Sequence, residues 1–438
     1  MIDILKIKSM NKKFQNRELS LYLIVGTICV LVYSLVIPLF LKQQDEFYHF
    51  DCSAYLSNVV IDRKDDEEYK HYVKDLLEKE NYLKDLYFTR VKTIDREDVV
   101  SKKVKLQKKY EFWGHIIPAI GMKLGFFIYP SIGVMAIFSR LFSGIVYLFC
   151  MYFIIKAMKY GKRLFMAVSL TPAVLPLLAS MSYDGLNFVI VSFFLMTVIN
   201  LSVKKKFVLL DFLPVIFASL ILYFCSKTNM ILMLMLPIAL LLIRFVVPFF
   251  YEKLSFLNKK RWRYLSFLLI IFLCTFIFFY VTRLSGDGVA KIFLSLNSEV
   301  YIYYIFSILG GIYSVQSVWL GLYWFIVMFI IISNEKSNSL FRNNVISWLS
   351  MFLFFVNFFY LMIFYKDWTL NNQLSSDVIS GIQGRYFTPY ILPFAMIGAS
   401  DKYRRDDSIL KLDSLIFGGA VISLIFVAVN IYVFEIIF

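Results

Sequence analysis

Long stretches without any charged residue are the feature that most constrains this chain. The stretch Leu19–Leu41 contains no charge, and about 20 apolar residues are enough for a helix to cross a bilayer. It is also too long for the apolar core of a cleaved signal peptide, so we expect a retained first membrane helix. Of the 438 residues, 59% are hydrophobic and only 18% are charged, which excludes a single water-soluble globule.

Further apolar stretches predict an all-α, polytopic membrane protein with about eleven transmembrane helices. Two shorter apolar stretches, 112–128 and 300–314, are short or broken by Gly and Pro, and we interpret them as re-entrant or interfacial pieces. After the first span, the predicted spans are 131–156, 164–182, 185–203, 207–225, 228–250, 264–282, 316–333, 345–365, 386–400 and 413–437.

The distribution of positive charge predicts the orientation of these spans. The net charge of +15 would also suit a nucleic-acid-binding protein, but much of the excess lies in short clusters between apolar runs, such as Lys204–Lys206. If the N-terminus is inside and the spans alternate, the inner segments hold 24 Lys and Arg residues and the short outer loops hold five. Since cytoplasmic loops are enriched in Lys and Arg, we expect a cytoplasmic N-terminus, an extracytoplasmic C-terminus and no nucleic-acid partner.

One long segment, 42–112, is the soluble-looking part of the chain, with 15 Lys and Arg and 16 Asp and Glu residues. Its pattern of apolar side chains predicts amphipathic helices at 45–61 and 65–88. It is too short to be expected as an independent domain, so we expect it to pack as a cap on the outer face. The predicted organisation is a cytoplasmic tail (1–18), a first transmembrane helix (19–41), a helical extracytoplasmic loop (42–112) and a transmembrane bundle (113–438).

Polar residues at the predicted outer boundary begin with Asp45, Glu46 and His49. On a helix, this spacing places all three side chains on one face, where they could bind a divalent cation or supply a general base. The structural alternative is that the two acids begin a helix, whose dipole favours negative charge at that end. The spacing leaves both interpretations open.

Four further positions combine charge with membrane depth or a tight turn. Arg140 lies inside the second span, where a charge is costly, and it either serves function or pairs with a carboxylate such as Asp184. Asp184 itself lies at an outer turn, and Lys227 lies at another, where a lone Lys commonly snorkels. Arg385 follows Gly384 at the entrance of the tenth span; its planar fork suits phosphate, or it balances an acid such as Asp377 or Asp367.

Six of these residues fall on the predicted outer side of the membrane: Asp45, Glu46, His49, Asp184, Lys227 and Arg385. We therefore expect one polar cavity at the outer face. Trp113 is interpreted as an interface anchor, and His115 beside it receives no role. Two cysteines, Cys52 and Cys225, would also fall on the outer side, and no metal-type Cys spacing is present.

The order of these motifs resembles that of the bacterial membrane family known as domain of unknown function 2142. The resemblance rests on Asp45-Glu46-x-x-His49, Arg140-Leu141, Tyr183-Asp184 and the stretch Gly381–Phe387, and covers roughly residues 20–400. The family usually has two prolines before the acidic pair, where this chain has Gln43-Gln44.

The arrangement is also similar to the GT-C superfamily of glycosyltransferases, which are polytopic enzymes with an acidic motif in the first outer loop. This resemblance implies inverting transfer of a sugar, outside the cytoplasm, from a polyprenyl-phosphate donor to a cell-envelope glycan. It also implies a multi-pass protein of the bacterial plasma membrane. The alternative from another class is a transporter or flippase of lipid-linked saccharide, and a third is a membrane scaffold.

The resemblance assigns roles to the outer polar residues. Asp45, with Glu46 second, would take the proton of the acceptor hydroxyl, and a divalent cation such as Mg²⁺ or Mn²⁺ could bridge Asp45, Glu46 and His49 to the phosphate. Arg385, with Lys227 or Arg140 behind it, would stabilise the leaving phosphate. The predicted substrate-binding residues are His49, Arg140, Asp184, Lys227, Gln383, Arg385 and Tyr386.

Overall fold

The computed structural model describes residues 2–40, 45–61, 82–94, 109–202, 204, 206–242, 308–309, 317–334, 344–371, 382–396 and 412–432. The described chain is mostly helical, and its only strands form one small sheet. In chain order the α-helices are α1 (Ile2–Val36), α2 (Glu46–Ser57), α3 (Tyr82–Phe88), α4 (Lys109–Ile128), α5 (Ile132–Ala157), α6 (Lys162–Ser169), α7 (Leu175–Leu178), α8 (Tyr183–Ser202), α9 (Leu213–Cys225), α10 (Met235–Leu241), α11 (Ser317–Asn334), α12 (Asn344–Asn371) and α13 (Leu412–Tyr432). The 3₁₀ segments are Leu209–Phe212, Thr228–Leu234, Gly384–Tyr386 and Thr388–Met396, and the strands are β1 (Val60–Ile61) and β2 (Thr93–Ile94).

Four of the described helices contain stretches long and apolar enough to cross a membrane. In α1, the exposed apolar side chains follow one another at intervals of three or four residues, which places them on one face of the helix. The opposite face carries Tyr22, Cys29 and Tyr33, which are buried against the rest of the bundle. An apolar face left exposed in this way is the expected surface for lipid contact. The exposed residues of α1 are Ile24, Ile28, Leu31 and Leu35.

The number of spans predicted from sequence is not confirmed. Besides the four long helices, the described residues contain four shorter apolar helical stretches of 10–17 residues, and the predicted span 264–282 lies outside the described residues. The long stretches are Arg17–Val36, Ile132–Ala157, Tyr183–Ser202 and Leu412–Ile431; the short ones are Leu209–Cys225, Thr228–Leu241, Val318–Ser333 and Leu349–Tyr365.

The predicted spans 164–182 and 386–400 do not form continuous α-helices, and both contain prolines. The stretch 164–182 forms the short helices α6 and α7, separated by a turn that contains Pro172. The stretch 386–400 is described up to Met396 and is 3₁₀-helical over Thr388–Met396, which contains Pro389 and Pro393. Proline cannot donate a backbone hydrogen bond and clashes with the preceding helical turn, so an apolar stretch of sufficient length need not form one helix.

The segment after the first span is only partly helical. The predicted helix at its start is present as α2, but the chain then forms β1, which pairs with β2 in an antiparallel sheet through Val60 opposite Ile94. The predicted helix 65–88 is described only over α3, because residues 62–81 lie outside the described part of the chain. The apolar stretch predicted to be re-entrant or interfacial at 112–128 is one continuous helix, α4, despite Pro118 within it.

Helix α4 packs closely against α5 and α8 because glycines lie at the contacts. A Cβ atom on Gly121 would come within 2.6 Å of the Phe138 carbonyl oxygen, and one on Gly114 would come within 2.2 Å of the Tyr183 Cβ. The Ile37 carbonyl, just after α1, accepts a hydrogen bond from Arg140, about two turns into α5. Consequently α4, α2 and the start of α5 lie around the end of α1, and Gly114 brings its neighbour His115 beside the start of α8.

Candidate functional site

Glu46 and Arg140 form a buried ion pair that joins α2 to α5. Glu46 Oε1 accepts from Arg140 Nε at 2.7 Å and also from Nη2, while Arg140 Nη1 donates to the Ile37 carbonyl at 2.7 Å. Glu46 Oε2 accepts the Phe40 backbone N–H at 2.6 Å. Both side chains are fully enclosed, with exposed fractions of 1% and 0%. Arg140 therefore does not pair with Asp184, which was its predicted alternative partner.

This pairing changes the interpretation of the acidic motif. Glu46 has both carboxylate oxygens occupied, so it is not available as the second general base that the sequence predicted. Asp45 is exposed, has a left-handed backbone with φ of 59° and precedes α2 without a capping hydrogen bond from its side chain. The two acids thus begin a helix, as the structural alternative proposed, and only Asp45 keeps an accessible carboxylate.

Asp184 is the centre of a second ionic group, which we call the Asp184 cluster: Tyr183, Asp184, Lys227, Arg385 and Tyr386. Lys227 Nζ lies 2.6 Å from Asp184 Oδ1, and Arg385 Nε lies 3.0 Å from Oδ2, without hydrogen-bond alignment. Asp184 lies in the first turn of α8. Lys227 lies just after α9, and Arg385 lies in the 3₁₀ segment Gly384–Tyr386. Tertiary packing therefore brings one carboxylate and two cations together, as the sequence predicted in general terms.

The cluster holds the Lys227 ammonium between two aromatic rings. Its Nζ lies 4.4 Å from the ring centroids of both Tyr183 and Tyr386, a distance at which the ring faces attract a cation. The Lys227 backbone N–H also donates to Asn187 Oδ1 at 2.9 Å. Lys227 is therefore fixed inside the protein, which rules out the alternative interpretation that it snorkels to the surface.

Arg385 contacts Asp184. Asp184 is not one of the two acids that the sequence suggested as alternative partners of Arg385. The side chains of Asp367 and Asp377 lie outside the described part of the chain. Arg385 belongs to the 3₁₀ segment Gly384–Tyr386, and its guanidinium carbon lies 5.5 Å from the Tyr386 ring centroid. The Tyr386 hydroxyl in turn lies 3.2 Å from that of Tyr365.

Two amide groups beside the cluster have buried polar atoms without a hydrogen-bond partner among the described residues. These atoms are Gln383 Oε1 and Asn187 Nδ2, and both side chains are more than nine-tenths buried. A buried donor or acceptor left unsatisfied is costly, so these two atoms retain capacity for a polar partner. Gln383 was predicted from its motif, whereas Asn187 was missed because a single Asn one turn into an apolar helix carries no sequence signal.

A histidine pair lies against the same tyrosine. His49 Nδ1 and His115 Nε2 are 2.9 Å apart, and the ring centroid of His49 lies 4.9 Å from that of Tyr183. Burial lowers the pKa of His115 to about 4, and burial together with the neighbouring His115 lowers the pKa of His49 well below 6.5. No role for His115 was predicted from the sequence; the signal that could have identified it is that His115 is one of only three histidines in the chain.

The proposed metal ligands do not form a metal site. Among the described residues, no group of three or more His, Cys, Asp and Glu side chains is arranged to hold a metal ion. The physical reason is that Glu46 is bound by Arg140 and the Phe40 N–H, while His49 Nδ1 is bound to His115. Cys52 and Cys225 are both free thiols, and burial raises the pKa of Cys52 to about 12.

The arrangement therefore contains two kinds of chemical group at one end of the bundle. The Asp184 cluster contributes cations that suit an anionic ligand, and the histidine pair contributes imidazoles that stay neutral at ordinary pH. Of the predicted site residues, His49, Asp184, Lys227, Gln383, Arg385 and Tyr386 lie in or beside the cluster, Glu46 and Arg140 form the separate ion pair, and Asp45 is exposed.

Comparison with known protein families gives a match. The family model described as a predicted membrane protein (DUF2142) matches residues 89–395, which include the Asp184 cluster and Arg140. No curated protein and no solved structure matches the chain.

Proposed function

Because this chain belongs to the DUF2142 family of predicted membrane proteins, we propose a function that fits a membrane-embedded polar site: extracytoplasmic glycosyl transfer. The enzyme would move a sugar from a polyprenyl-phosphate donor to a cell-envelope glycan, with inversion at the anomeric carbon. In the bacterial plasma membrane, the donor's polyprenyl chain would remain in the bilayer beside exposed apolar faces such as that of α1.

The observation that carries this proposal is the Asp184 cluster. Lys227 and Arg385, from distant parts of the chain, meet at one enclosed carboxylate. Cationic groups fixed before the reaction stabilise charge that develops on a leaving phosphate without having to reorganise. The buried amide atoms of Gln383 and Asn187 supply further polar contacts beside these cations.

The transfer changes bonds at both the donor and the acceptor. A bond forms between the acceptor oxygen and the anomeric carbon, the bond from that carbon to the phosphate oxygen breaks, and its electron pair leaves with the phosphate. The acceptor hydroxyl also loses its proton. In this proposal Lys227 and Arg385 receive the phosphate, and Arg140 is withdrawn from that role because it is bound to Glu46.

The test is a lipid-binding and transfer measurement on the purified full chain in lipid nanodiscs. Native mass spectrometry should show a bound polyprenyl phosphate but not the neutral polyprenol of the same length. We expect Lys227→Met to weaken phosphate binding at least about tenfold, which corresponds to one charge-assisted contact. The matched control is Lys204→Met, because Lys204 is also ion-paired, with Asp211, but lies at the far end of α8.

Equal binding of the phosphate and the alcohol, or equal effects of the two lysine variants, would contradict the phosphate site. A covalent sugar product from a labelled polyprenyl-phosphate sugar would identify a transferase. Movement of an intact lipid-linked saccharide across vesicles, without a covalent product, would instead identify the transporter alternative.

A further inference from the structure

The hydrogen bonds of the histidine pair have a fixed direction. His115 Nδ1 lies 2.5 Å from the Glu111 carbonyl oxygen, and because a carbonyl can only accept, this nitrogen carries the proton. A neutral imidazole has one protonated nitrogen, so His115 Nε2 accepts. The 2.9 Å contact then requires His49 Nδ1 to donate.

The tautomer of His49 follows from this direction. With its proton on Nδ1, neutral His49 carries an unshared electron pair on Nε2. Imidazoles that are oriented in this way through their other nitrogen are poised to accept a proton. His49 reaches this state through a backbone carbonyl and a second histidine instead of a carboxylate.

The surroundings of His49 place its imidazole ring beside the cluster. Its ring lies nearly perpendicular to that of Tyr183, at an angle of 83°. Asp184 is close enough to favour the protonated form of His49, while Lys227 and Arg385 are close enough to oppose it. The proton acceptor and the phosphate-binding cations thus share one polar environment.

We propose that His49 Nε2, and not Asp45, accepts the proton of the acceptor hydroxyl, and that His115 is the positioning residue that keeps Nε2 unprotonated. This inference rests on the proposed glycosyl transfer. In the step, the acceptor O–H bond breaks and its proton forms an N–H bond at Nε2. The acceptor oxygen bonds to the anomeric carbon, and the phosphate leaves with the electron pair of the broken C–O bond.

The position of Asp45 supports this assignment. Its carboxylate is exposed and makes no capping bond, whereas His49 is enclosed one turn further along α2. The imidazolium formed at His49 would be opposed by Lys227 and Arg385 and stabilised by Asp184. As the donor phosphate arrives, its negative charge offsets the two cations, so proton transfer becomes easier when the donor is bound.

The first test is spectroscopic and does not depend on activity. In ¹⁵N-histidine-labelled protein, which has only three histidines, His49 is expected as the Nδ1–H tautomer with an unprotonated Nε2. Its signals are assigned by their loss in His49→Gln. A proton on Nε2 at neutral pH would overturn the proposal.

The second test compares turnover with donor binding. His49→Gln should lower the rate of sugar transfer about 10²–10⁴-fold. It should leave the affinity for the polyprenyl phosphate within about threefold of wild type. It should also abolish the decrease of kcat/KM at acidic pH. His115→Gln should alter the same acidic limb while retaining part of the rate. Ser57→Ala is the control, because Ser57 lies at the end of α2 and bonds only to the Ala54 carbonyl.

Each outcome separates the two proposals. If wild-type protein transfers sugar but His49→Gln retains its rate and acidic limb, or if Asp45→Asn loses more rate than His49→Gln, the assignment of His49 is wrong and the proposed function stands. If wild-type protein neither transfers sugar nor binds the polyprenyl phosphate, the proposed function fails and the role of His49 fails with it.

Discussion

The two buried ionic groups of this protein differ in how completely their hydrogen bonds are used. Around Glu46 and Arg140, two Arg140 nitrogens and one backbone N–H surround the carboxylate, and the remaining Arg140 group reaches a backbone carbonyl. Around Asp184, the contact to Arg385 is not aligned as a hydrogen bond, and amide atoms of Gln383 and Asn187 stay without partners among the described residues.

This difference indicates different tasks. A buried pair with all its groups satisfied gains little from any further ligand, so Glu46 and Arg140 fix the geometry between α2 and α5. A group with unsatisfied polar atoms retains capacity for an additional partner. Both groups contain an arginine and a carboxylate in an enclosed setting, so residue type alone does not distinguish a structural pair from a binding site.

The largest effect is expected from breaking the satisfied pair. Glu46→Leu leaves Arg140 buried without its carboxylate and should lower the free energy of unfolding by about 3–5 kcal/mol. The double variant Glu46→Leu/Arg140→Met removes both charges and should recover most of that loss. Thermal unfolding in detergent measures this, with the exposed change Lys84→Met as a control. A double variant no more stable than Glu46→Leu would show that the charges are not coupled.

Smaller effects are expected at the Asp184 cluster, where one substitution should lower stability and raise the affinity for an anion. Asp184→Asn leaves Lys227 and Arg385 without their shared carboxylate, which should lower stability by about 1–3 kcal/mol. The same change removes the internal competitor of an incoming anion, so polyprenyl-phosphate affinity should rise about tenfold. Denaturation and native mass spectrometry together check this. A fall in both quantities would show that Asp184 supports the ligand directly.

The histidine pair should make stability depend on pH. Because burial lowers the pKa of His115 to about 4, the unfolded chain binds more protons than the folded protein between about pH 6.5 and 4. The contribution of His115 to stability is therefore complete above pH 6.5, and it declines as the pH falls from about 6.5 to 4. The thermal midpoint, followed from about pH 7.5 to 4.5, should decline less steeply in His115→Gln. An unchanged slope would mean that other groups dominate.

The smallest perturbation tests which side of the membrane holds both ionic groups. In a cysteine-free background, single cysteines replace the exposed Lys84 of α3 and Lys206 after α8. We expect an impermeant thiol reagent to label the first and not the second in intact cells. Labelling of Lys206→Cys alone would place the Asp184 cluster on the cytoplasmic side, where an extracytoplasmic glycan cannot reach it.

The sequence predicted which charged residues lie near one another better than it predicted which pairs of residues form hydrogen bonds. Asp184, Lys227 and Arg385 were expected on one side of the membrane from charge counts, and the structure brings them into contact. The link from Glu46 to Arg140 was not predicted, because helix spacing relates only residues within a few turns and these two lie 94 positions apart. The histidine pair, 66 positions apart, escaped prediction for the same reason.

Where the predictions of membrane spans failed, they did so for a local reason, the backbone chemistry of prolines, and not because of contacts between distant residues. Hydropathy found α1, α5, α8 and α13 because each contains an apolar stretch of 20 residues or more. It also treated 164–182 as one span, since hydropathy measures the polarity of side chains and ignores the backbone hydrogen bonds that Pro172 and Pro176 remove. Local backbone chemistry therefore has to be weighed with apolar length.

The position of Lys227 between two tyrosine rings has a consequence for ligand exchange. Its ammonium is approached by the ring faces of Tyr183 and Tyr386 and by the carboxylate of Asp184. Among these three neighbours only the carboxylate is an anion, so in the proposed function an incoming phosphate would replace Asp184 beside Lys227 instead of adding to it. The affinity for the phosphate would then be the difference between two strong attractions, and Asp184 would be close enough to displace the phosphate again. In the proposed function, such a site would bind and release the phosphate in each turnover, whereas a cation without a carboxylate partner would retain it.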